Sequence, residues 1–157
     1  MALSDTQRNT LRKLVEAGGF NKELRRILDT DVAYNILDQH SGGTWMAGGC
    51  LLLAEALRHF FGEGAELWAV GSRGKRFSVS APVPVEHVVV KYQDRFIDYY
   101  GASSKEQLLK RMAQEEDLIQ PYLHPLDHSQ IKELTCHPDS ARALLSLFQQ
   151  HPSLRSL

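Results

Sequence analysis

The N-terminal part of the chain places apolar residues at the spacing of amphipathic helices. Ser4 and Gln7 fit a capping box, which predicts a helix from this point to Gly18-Gly19. Asn21 is suited to cap a second helix, which Ser41-Gly42-Gly43 would end. The apolar positions are Leu11, Leu14 and Val15 in the first helix and Leu24, Ile27, Leu28, Ile36 and Leu37 in the second, with a weak point at Thr30-Asp31.

A third helix is predicted directly after Gly48-Gly49, and Cys50 is its first residue. This helix is apolar nearly all round at its start, and Gly62 and Gly64 end it after Phe61. A helix of this kind is usually central, since it has to be covered on several sides.

The middle of the chain changes to the pattern of strands. Glu66–Gly71 reads as one strand, and a long irregular loop follows it. Glu86–Tyr92 and Arg95–Tyr99 then predict an antiparallel hairpin with a tight turn at Gln93-Asp94, and Gly101 closes it.

Helical patterns return after the hairpin. Ser103 or Ser104 would cap a helix that runs to about Gln114, and Pro138 would begin a last helix, whereas Asp117–Thr135 predicts no definite element. This order of elements indicates an α+β fold, with helices packed on a small antiparallel sheet. Without a repeat or linker, residues 1–157 are expected to form a single domain.

Composition excludes several function classes. The net charge is -1 and charged residues make up 24% of the chain, so we expect neither nucleic acid nor a membrane among its partners. The N-terminus lacks the pattern of a signal peptide. Cys50 and Cys136 do not indicate a disulfide scaffold. The expected location is the cytoplasm, or a target cell reached by secretion without a signal peptide.

Cys50, His87 and Asp98 form the strongest candidate for chemistry. A helix N-terminus favours a thiolate, an imidazole can take the thiol proton, and a carboxylate can orient that imidazole. If Tyr92 faces Arg95 across the turn, strand alternation places His87 and Asp98 on one face as diagonal neighbours. The alternative for each residue alone is structural, because a cysteine at the start of an apolar helix is most often a small buried hydrophobe.

The connector before Cys50 is the predicted substrate-binding segment. Gly48 and Gly49 would let a substrate backbone approach and would leave N–H groups free for an oxyanion, or they would only let the chain turn tightly. The Cys50 N–H would be one oxyanion donor, and the second would come from residues 44–48 or from Gln39. Trp45 either lines the cleft or belongs to the core.

These residues together resemble a known superfamily. Gly-Gly-Cys50 opening an apolar helix, His87-Val-Val-Val-Lys-Tyr, and Phe96-Ile97-Asp98 resemble the papain-like and transglutaminase-like cysteine enzymes, which include bacterial effector deamidases and small cysteine peptidases. The resemblance implies a papain-like core and acyl transfer through a thioester. No Trp follows Cys50 and no Asn takes the orienting position, which disfavours a papain-type endopeptidase.

The resulting expectation is a thiol-dependent amide hydrolase or acyltransferase, a glutamine deamidase or cysteine peptidase. It would act on a protein or peptide substrate and need no cofactor and no metal. The alternative is a catalytically silent protein of the same fold that binds or inhibits a protein partner. The sequence leaves the oligomeric state open.

Other patterns carry less weight. The set His124, His128, Cys136 and His137 matches no familiar zinc spacing, although a site in this His-rich third remains an alternative if Cys50 is a core residue. Arg73, Lys75 and Arg76 either attract an acidic partner or form a solvated loop.

Overall fold

The computed structural model describes residues 2–78, 81–127, 137–155 and 157, without the side chains of residues 9–18. Its described elements form an α+β fold around an antiparallel five-stranded sheet, as the order of patterns predicted. The helices are α1 (Asp5–Leu28), α2 (Asp31–His40), α3 (Cys50–Phe61), α4 (Lys105–Glu115) and α5 (Pro138–Gln149), followed by a 3₁₀ turn (Pro152–Arg155).

Helix α1 begins as predicted but does not end at Gly18-Gly19. The capping box is present, with the Gln7 N–H donating to Ser4 Oγ at 3.2 Å and the Ser4 N–H donating to Gln7 Oε1 at 2.9 Å. The helix continues to Leu28 because its second half buries Phe20, Leu24, Ile27 and Leu28. Each such burial stabilises by about 1.5–3 kcal/mol, which exceeds the cost of about 1 kcal/mol for a glycine inside a helix. The predicted positions Leu11, Leu14 and Val15 are outside the described side chains.

The actual break in the N-terminal helices is at the weak point that the sequence indicated. Thr30 caps α2, its Oγ1 accepting the Ala33 N–H at 3.3 Å. Asn21, predicted to be a cap, instead lies within α1, and its Oδ1 accepts the Ala102 N–H at 2.7 Å. This contact joins α1 to the edge of the sheet.

The sheet has the strand order β4-β3-β2-β1-β5, and every pairing is antiparallel. The strands are β1 (Glu66–Ser72), β2 (Val83–Tyr92), β3 (Arg95–Asp98), β4 (Gly101–Ser103) and β5 (Tyr122–Pro125). Strand β2 begins three residues before the predicted Glu86, and β5 lies in the segment for which the pattern predicted no element. As an edge strand, β5 tolerates its proline.

The turn between β2 and β3 has the predicted length. Tyr92 pairs with Arg95, and both Gln93 and Asp94 have positive φ (51° and 61°), which is the geometry of a type I′ hairpin. Lys91 pairs with Phe96 in the same register. The prediction of which residues of the two strands share a face is therefore confirmed.

Helices cover both faces of the sheet. Helix α3 packs on the face that carries Val88, Val90 and Ile97, and α5 packs against α3. The opposite face carries Val89 and Phe96 and forms a second cluster with Leu108 and Met112 of α4. This arrangement places α3 centrally, with its N-terminus close to the β2–β3 hairpin.

Candidate active site

Cys50 is the first residue of α3 and is half-buried. Gly49 precedes it as the N-cap and supplies no side chain to the first turn, so the N-terminal N–H groups of the helix are not satisfied by a side-chain cap. Burial raises the pKa of the thiol. Hydrogen bonding and charge interaction with His87, together with the backbone N–H groups of Val88 and Leu51, lower it further than burial raises it, and the net pKa is below its ordinary value.

The two glycines before Cys50 have different structural roles. Gly48 has φ +100°, a conformation that L side chains rarely adopt. Gly49 is buried and close-packed, since a Cβ there would lie 2.6 Å from Leu37 Cδ1 and 2.8 Å from Thr44 O. The two glycines therefore let the chain turn tightly, which was one of the two predicted roles. This role is compatible with a functional role for the same glycines.

The connector is held by its own backbone. The Thr44 N–H donates to Ala47 O at 2.9 Å, the Ala47 N–H donates to Thr44 Oγ1 at 2.9 Å, and the Gly49 N–H donates to Thr44 O at 2.9 Å. These three N–H groups already have acceptors within the connector. The identity of the second oxyanion donor stays a prediction. The N–H of Cys50 begins α3 and remains the first candidate donor.

Trp45 belongs to the core. Its side chain is 2% exposed, and its Nε1 donates to Leu28 O at 3.0 Å. The sequence left open whether Trp45 lines the cleft or belongs to the core, and the structure shows a core residue. Trp45 anchors the connector to the end of α1 and does not line an open cleft.

His87 and Asp98 are joined by a buried hydrogen bond. Nε2 of His87 lies 3.0 Å from Asp98 Oδ2, and the side chains are 1% and 3% exposed. Asp98 Oδ1 accepts the Tyr100 N–H at 2.9 Å, which fixes the carboxylate plane. The other ring nitrogen of His87, Nδ1, is buried and has no partner that satisfies hydrogen-bond geometry among the residues the structure describes. The ring thus has one nitrogen held and one available.

The two ionisable groups have shifted pKa values of opposite direction. Burial lowers the pKa of His87, but hydrogen bonds and charge interactions with Asp98 and Cys50 outweigh it and raise the pKa to about 9. Burial raises the pKa of Asp98, while His87 and Arg111 lower it to a net value below the ordinary one. At neutral pH the favoured state is therefore a charged imidazolium beside an ionised carboxylate.

Arg111 of α4 is a member of this group that the sequence pattern did not identify. Its Nη2 lies 2.7 Å from Asp98 Oδ2, and its guanidinium stacks over the Tyr100 ring at 4.5 Å. Arg111 lies three residues after Leu108 and next to Met112, both buried, so it sits at the border of the buried face of α4. This border position is the feature of the sequence that could have singled out Arg111, but it does not indicate Asp98 as the partner.

A small cavity lies beside the imidazole. It is lined by Met46, Glu86, His87, Met112 and Glu116, and its volume is about 30 Å³. This volume holds about one water molecule.

The alternative site in the C-terminal third is not assembled in the described part of the chain. His128 and Cys136 are outside the described residues, and both ring nitrogens of His124 face carbonyl oxygens, those of Pro84 (2.6 Å) and Pro125 (3.1 Å). Within residues 2–78, 81–127, 137–155 and 157, no group of three or more His, Cys, Asp or Glu side chains is arranged to hold a metal ion. The zinc alternative thus gains no support from this part of the chain.

Comparisons with known proteins return no relative. No protein-family model matches the sequence, and neither a curated protein nor a solved structure is significantly similar to it. Among the described residues, no helix has the length and hydrophobicity required to cross a membrane.

Proposed function

We propose that the protein is a thiol-dependent amide hydrolase or acyltransferase that works through Cys50, His87 and Asp98. The observation that carries the proposal is the buried hydrogen bond of 3.0 Å between His87 Nε2 and Asp98. It occupies one ring nitrogen and leaves the other for the thiol, whose pKa His87 lowers. A thiolate next to an imidazolium is the ground state of activated-cysteine enzymes.

Each group has a defined task in the proposed reaction. The Cys50 thiolate attacks the carbonyl carbon of an amide and forms a C–S bond, while negative charge develops on the oxygen. His87 gives its proton to the leaving nitrogen, the C–N bond breaks, and a thioester remains. Water then attacks the thioester carbon and forms a C–O bond while His87 takes a proton from the water. The C–S bond breaks, and the carboxylic acid product leaves with the thiolate restored.

The helix N-terminus supports the charged intermediate as well as the thiolate. The N–H of Cys50 lies at the positive end of α3, where negative charge is stabilised. Asp98 keeps the imidazole in one orientation, and Arg111 holds Asp98 by an ion pair of 2.7 Å. Arg111 thus acts on the reaction through Asp98 as a positioning residue.

The substrate class proposed is a glutamine side chain or a peptide bond in a protein or peptide. The resemblance to papain-like and transglutaminase-like enzymes supports the acyl-transfer chemistry. Helix α3 beginning at Cys50 and the antiparallel hairpin that carries His87 and Asp98 are compatible with that resemblance. The papain-like core is part of this proposal, and proteolysis, deamidation and transamidation remain its three possible outcomes.

Intact-mass analysis tests the proposal directly. The protein is incubated with glutamine-containing peptides and with a cell lysate, and we expect either a covalent adduct on Cys50 or a peptide product heavier by about 1 Da, the change from –NH₂ to –OH. Cys50→Ala should abolish turnover and keep the fold, and Cys136→Ala is the matched control that should keep turnover. Full turnover by Cys50→Ala would remove the mechanism.

The second candidate function is that of a catalytically silent protein that binds or inhibits a partner. The observation that favours it is the size of the cavity beside His87, about 30 Å³, which admits a water molecule but no peptide group. Iodoacetamide discriminates the two candidates. Selective, fast alkylation of Cys50 near neutral pH supports the enzyme, and equally slow alkylation of Cys50 and Cys136 in the folded protein supports the binder.

A further inference from the structure

The backbone N–H of Val88 points away from β1, to the side of the sheet on which β3 lies. The Leu126 N–H donates to Leu67 O at 3.0 Å, so Leu67 turns its backbone polar groups toward β5. Because these groups alternate in direction along a strand, Trp68 turns them toward its partner Val89 in β2. Val89 therefore faces β1, and Val88 faces the opposite side.

The register of the β2–β3 hairpin gives the same direction independently. Tyr92 and Arg95 close a two-residue turn, and the residues that flank such a turn form a hydrogen-bonded pair. Hydrogen-bonded pairs recur at every second position of an antiparallel ladder, so the next pair is Val90 with Ile97. The following position of this kind on β2 is Val88.

Strand β3 ends before it can pair with Val88. Asp98 is the last residue of β3, and Tyr99-Tyr100 form the turn to Gly101, where β4 begins. The Asp98 carboxylate holds this turn, since its Oδ1 accepts the Tyr100 N–H at 2.9 Å. Val88 itself is 3% exposed. Its buried N–H therefore requires a partner from another element.

The thiol of Cys50 takes the position beside Val88 that β3 leaves. Cys50 packs against the core cluster that contains Val88. Among the described residues, the backbone N–H groups that hydrogen-bond to the thiol and lower its pKa are those of Leu51 and Val88. They approach the sulfur from two elements, the first turn of α3 and the edge of β2. The sulfur thus lies between a helix N-terminus and an open strand edge.

The alternative donor Gln39 lies on a different side of its helix. Leu37 is the residue of α2 that faces the connector, since a Cβ on Gly49 would lie 2.6 Å from its Cδ1. Gln39 follows Leu37 by two residues, which is about 200° around the helix, and its side chain is exposed. In the connector, the N–H groups of Thr44 and Ala47 already have acceptors.

We propose that the backbone N–H of Val88 is the second oxyanion donor, opposite the N–H of Cys50. The inference rests on the proposed function and adds a catalytic group to it. When the thiolate attacks, a sulfur electron pair forms the C–S bond and the π electrons of the C=O bond move to oxygen. Negative charge leaves the sulfur and develops on an atom two bonds away. A donor that binds the thiolate is therefore close to the oxyanion as well.

The hydrogen bond of Val88 is worth more after this transfer of charge. An alkoxide oxygen accepts a hydrogen bond more strongly than a thiolate sulfur does, and only the difference between the two states accelerates the reaction. When the oxyanion collapses, the C=O bond re-forms, the C–N bond breaks, and the leaving nitrogen takes the proton of His87.

Replacing Val88 by its α-hydroxy acid tests the donor, because the resulting ester keeps the side chain and removes only the N–H. Two reagents report on Cys50 in a Cys136→Ala background. p-Nitrophenyl acetate acylates the sulfur through an oxyanion, whereas iodoacetamide alkylates it at a saturated carbon without one. Both rates are measured by intact mass at the pH of maximal alkylation. We expect the ratio of acylation to alkylation to fall at least about tenfold.

Val90 offers the matched control. Its N–H points to the same side of β2 but lies in the hairpin ladder, opposite Ile97. The α-hydroxy acid at Val90 removes an N–H from the same strand, and the ratio should stay at the wild-type value. Circular dichroism checks the fold of both esters. A folded Val88 ester with the wild-type ratio overturns the assignment.

The unmodified protein provides a second measurement, which decides the question if the Val88 ester does not fold. N-Acetylglycinal reacts with the thiol to form a hemithioacetal, in which sulfur bonds to the aldehyde carbon and the thiol proton moves to its oxygen. In amide NMR spectra we expect the Val88 proton to shift downfield in the hemithioacetal relative to the iodoacetamide adduct, while Val90 stays in place. Equal positions of the Val88 proton in the two adducts overturn the assignment.

These measurements keep the two proposals apart. Alkylation and acylation of the wild-type thiol at the rates of an ordinary cysteine contradict the proposed function, and the donor with it. Fast acylation of the wild-type thiol, together with an unchanged ratio in the Val88 ester, overturns the donor alone and leaves the proposed function standing.

Discussion

The Arg111 guanidinium binds the same carboxylate oxygen of Asp98 that binds the His87 imidazole, at 2.7 Å and 3.0 Å respectively. One buried carboxylate is therefore shared by two cations from different elements. Helix α4 supplies one of them and strand β2 the other. The docking of α4 on the sheet and the orientation of the imidazole are coupled through this oxygen.

Replacing Arg111 by methionine should lower the free energy of unfolding by about 1–3 kcal/mol. The change keeps the apolar stem but leaves Asp98 with a single charged partner. The ordinary range for breaking a fully buried pair is larger, but the Arg111 side chain is 16% exposed and solvent compensates part of the loss. Urea denaturation measures the difference.

Lys110→Met on the same helix is the control for Arg111→Met. Lys110 is exposed, and its replacement should change stability by no more than about 0.5 kcal/mol. Equal stability losses in the two variants would mean that the ion pair with Asp98 contributes nothing specific.

The alkylation rate of Cys50 should show a distinct pH dependence. The pKa of Cys50 is lowered, so the thiolate should persist below the ordinary thiol range and disappear only as the pH falls through the lowered value. The imidazolium is lost as the pH rises through about 9. The reactive ion pair therefore occupies the interval between these two pKa values, and iodoacetamide rates from pH 5 to 10 measure its lower limit.

His87→Ala should move that lower limit upward. Without the imidazole, burial is opposed only by the backbone N–H groups, and the rate at pH 7 should fall about tenfold for each unit by which the thiol pKa rises. His124→Ala is the matched control and should leave the profile unchanged. An unaltered profile in His87→Ala would separate the thiol from its proposed base.

Two glycine substitutions should have effects of opposite sign. Gly49→Ala should destabilise the fold by about 1–3 kcal/mol, since its Cβ would overlap Leu37 and the backbone of Thr44. Gly19→Ala lies in α1 with no atom within 4 Å of the added Cβ, and it should stabilise by about 0.5–1 kcal/mol. Thermal unfolding of both variants tests the pair, and a neutral Gly49→Ala would contradict the packing described for the connector.

The β2–β3 turn can be improved without touching the site. Gln93 and Asp94 both adopt positive φ, which Asn-Gly accommodates best in a type I′ turn. Replacing them by Asn-Gly should stabilise by about 0.5–1 kcal/mol, measured as a shift of the urea midpoint. Because the register is kept, Cys50 reactivity should stay at the wild-type value, and a changed reactivity would indicate that the turn affects the triad.

Local sequence rules were sufficient for the relationship between His87 and Asp98. The turn length fixes which residues face each other, and strand alternation fixes the face, so both follow from the residues between them. The start of α3 at Cys50 follows equally from an apolar run after two glycines.

The remaining features depend on tertiary packing. Helix α1 continues through Gly18-Gly19 because Phe20 and Leu24 bury their side chains, and burial elsewhere in the fold is invisible to a local breaker rule. Strand β5 forms by pairing with β1, and Arg111 meets Asp98 only once α4 docks. The sequence could not predict that Trp45 is buried, because its burial depends on contact with the end of α1.

The short chain distance between His87 and Asp98 has a consequence for the newly synthesised protein. They are separated by 11 positions, within a hairpin whose closure costs little entropy. We expect base and carboxylate to meet early, with the sulfur joining only when α3 docks. A pulse of iodoacetamide during refolding should then alkylate Cys50 at the rate of an ordinary thiol until the last folding phase. The folding chain would thus contain no activated thiolate before His87 and Asp98 are in place.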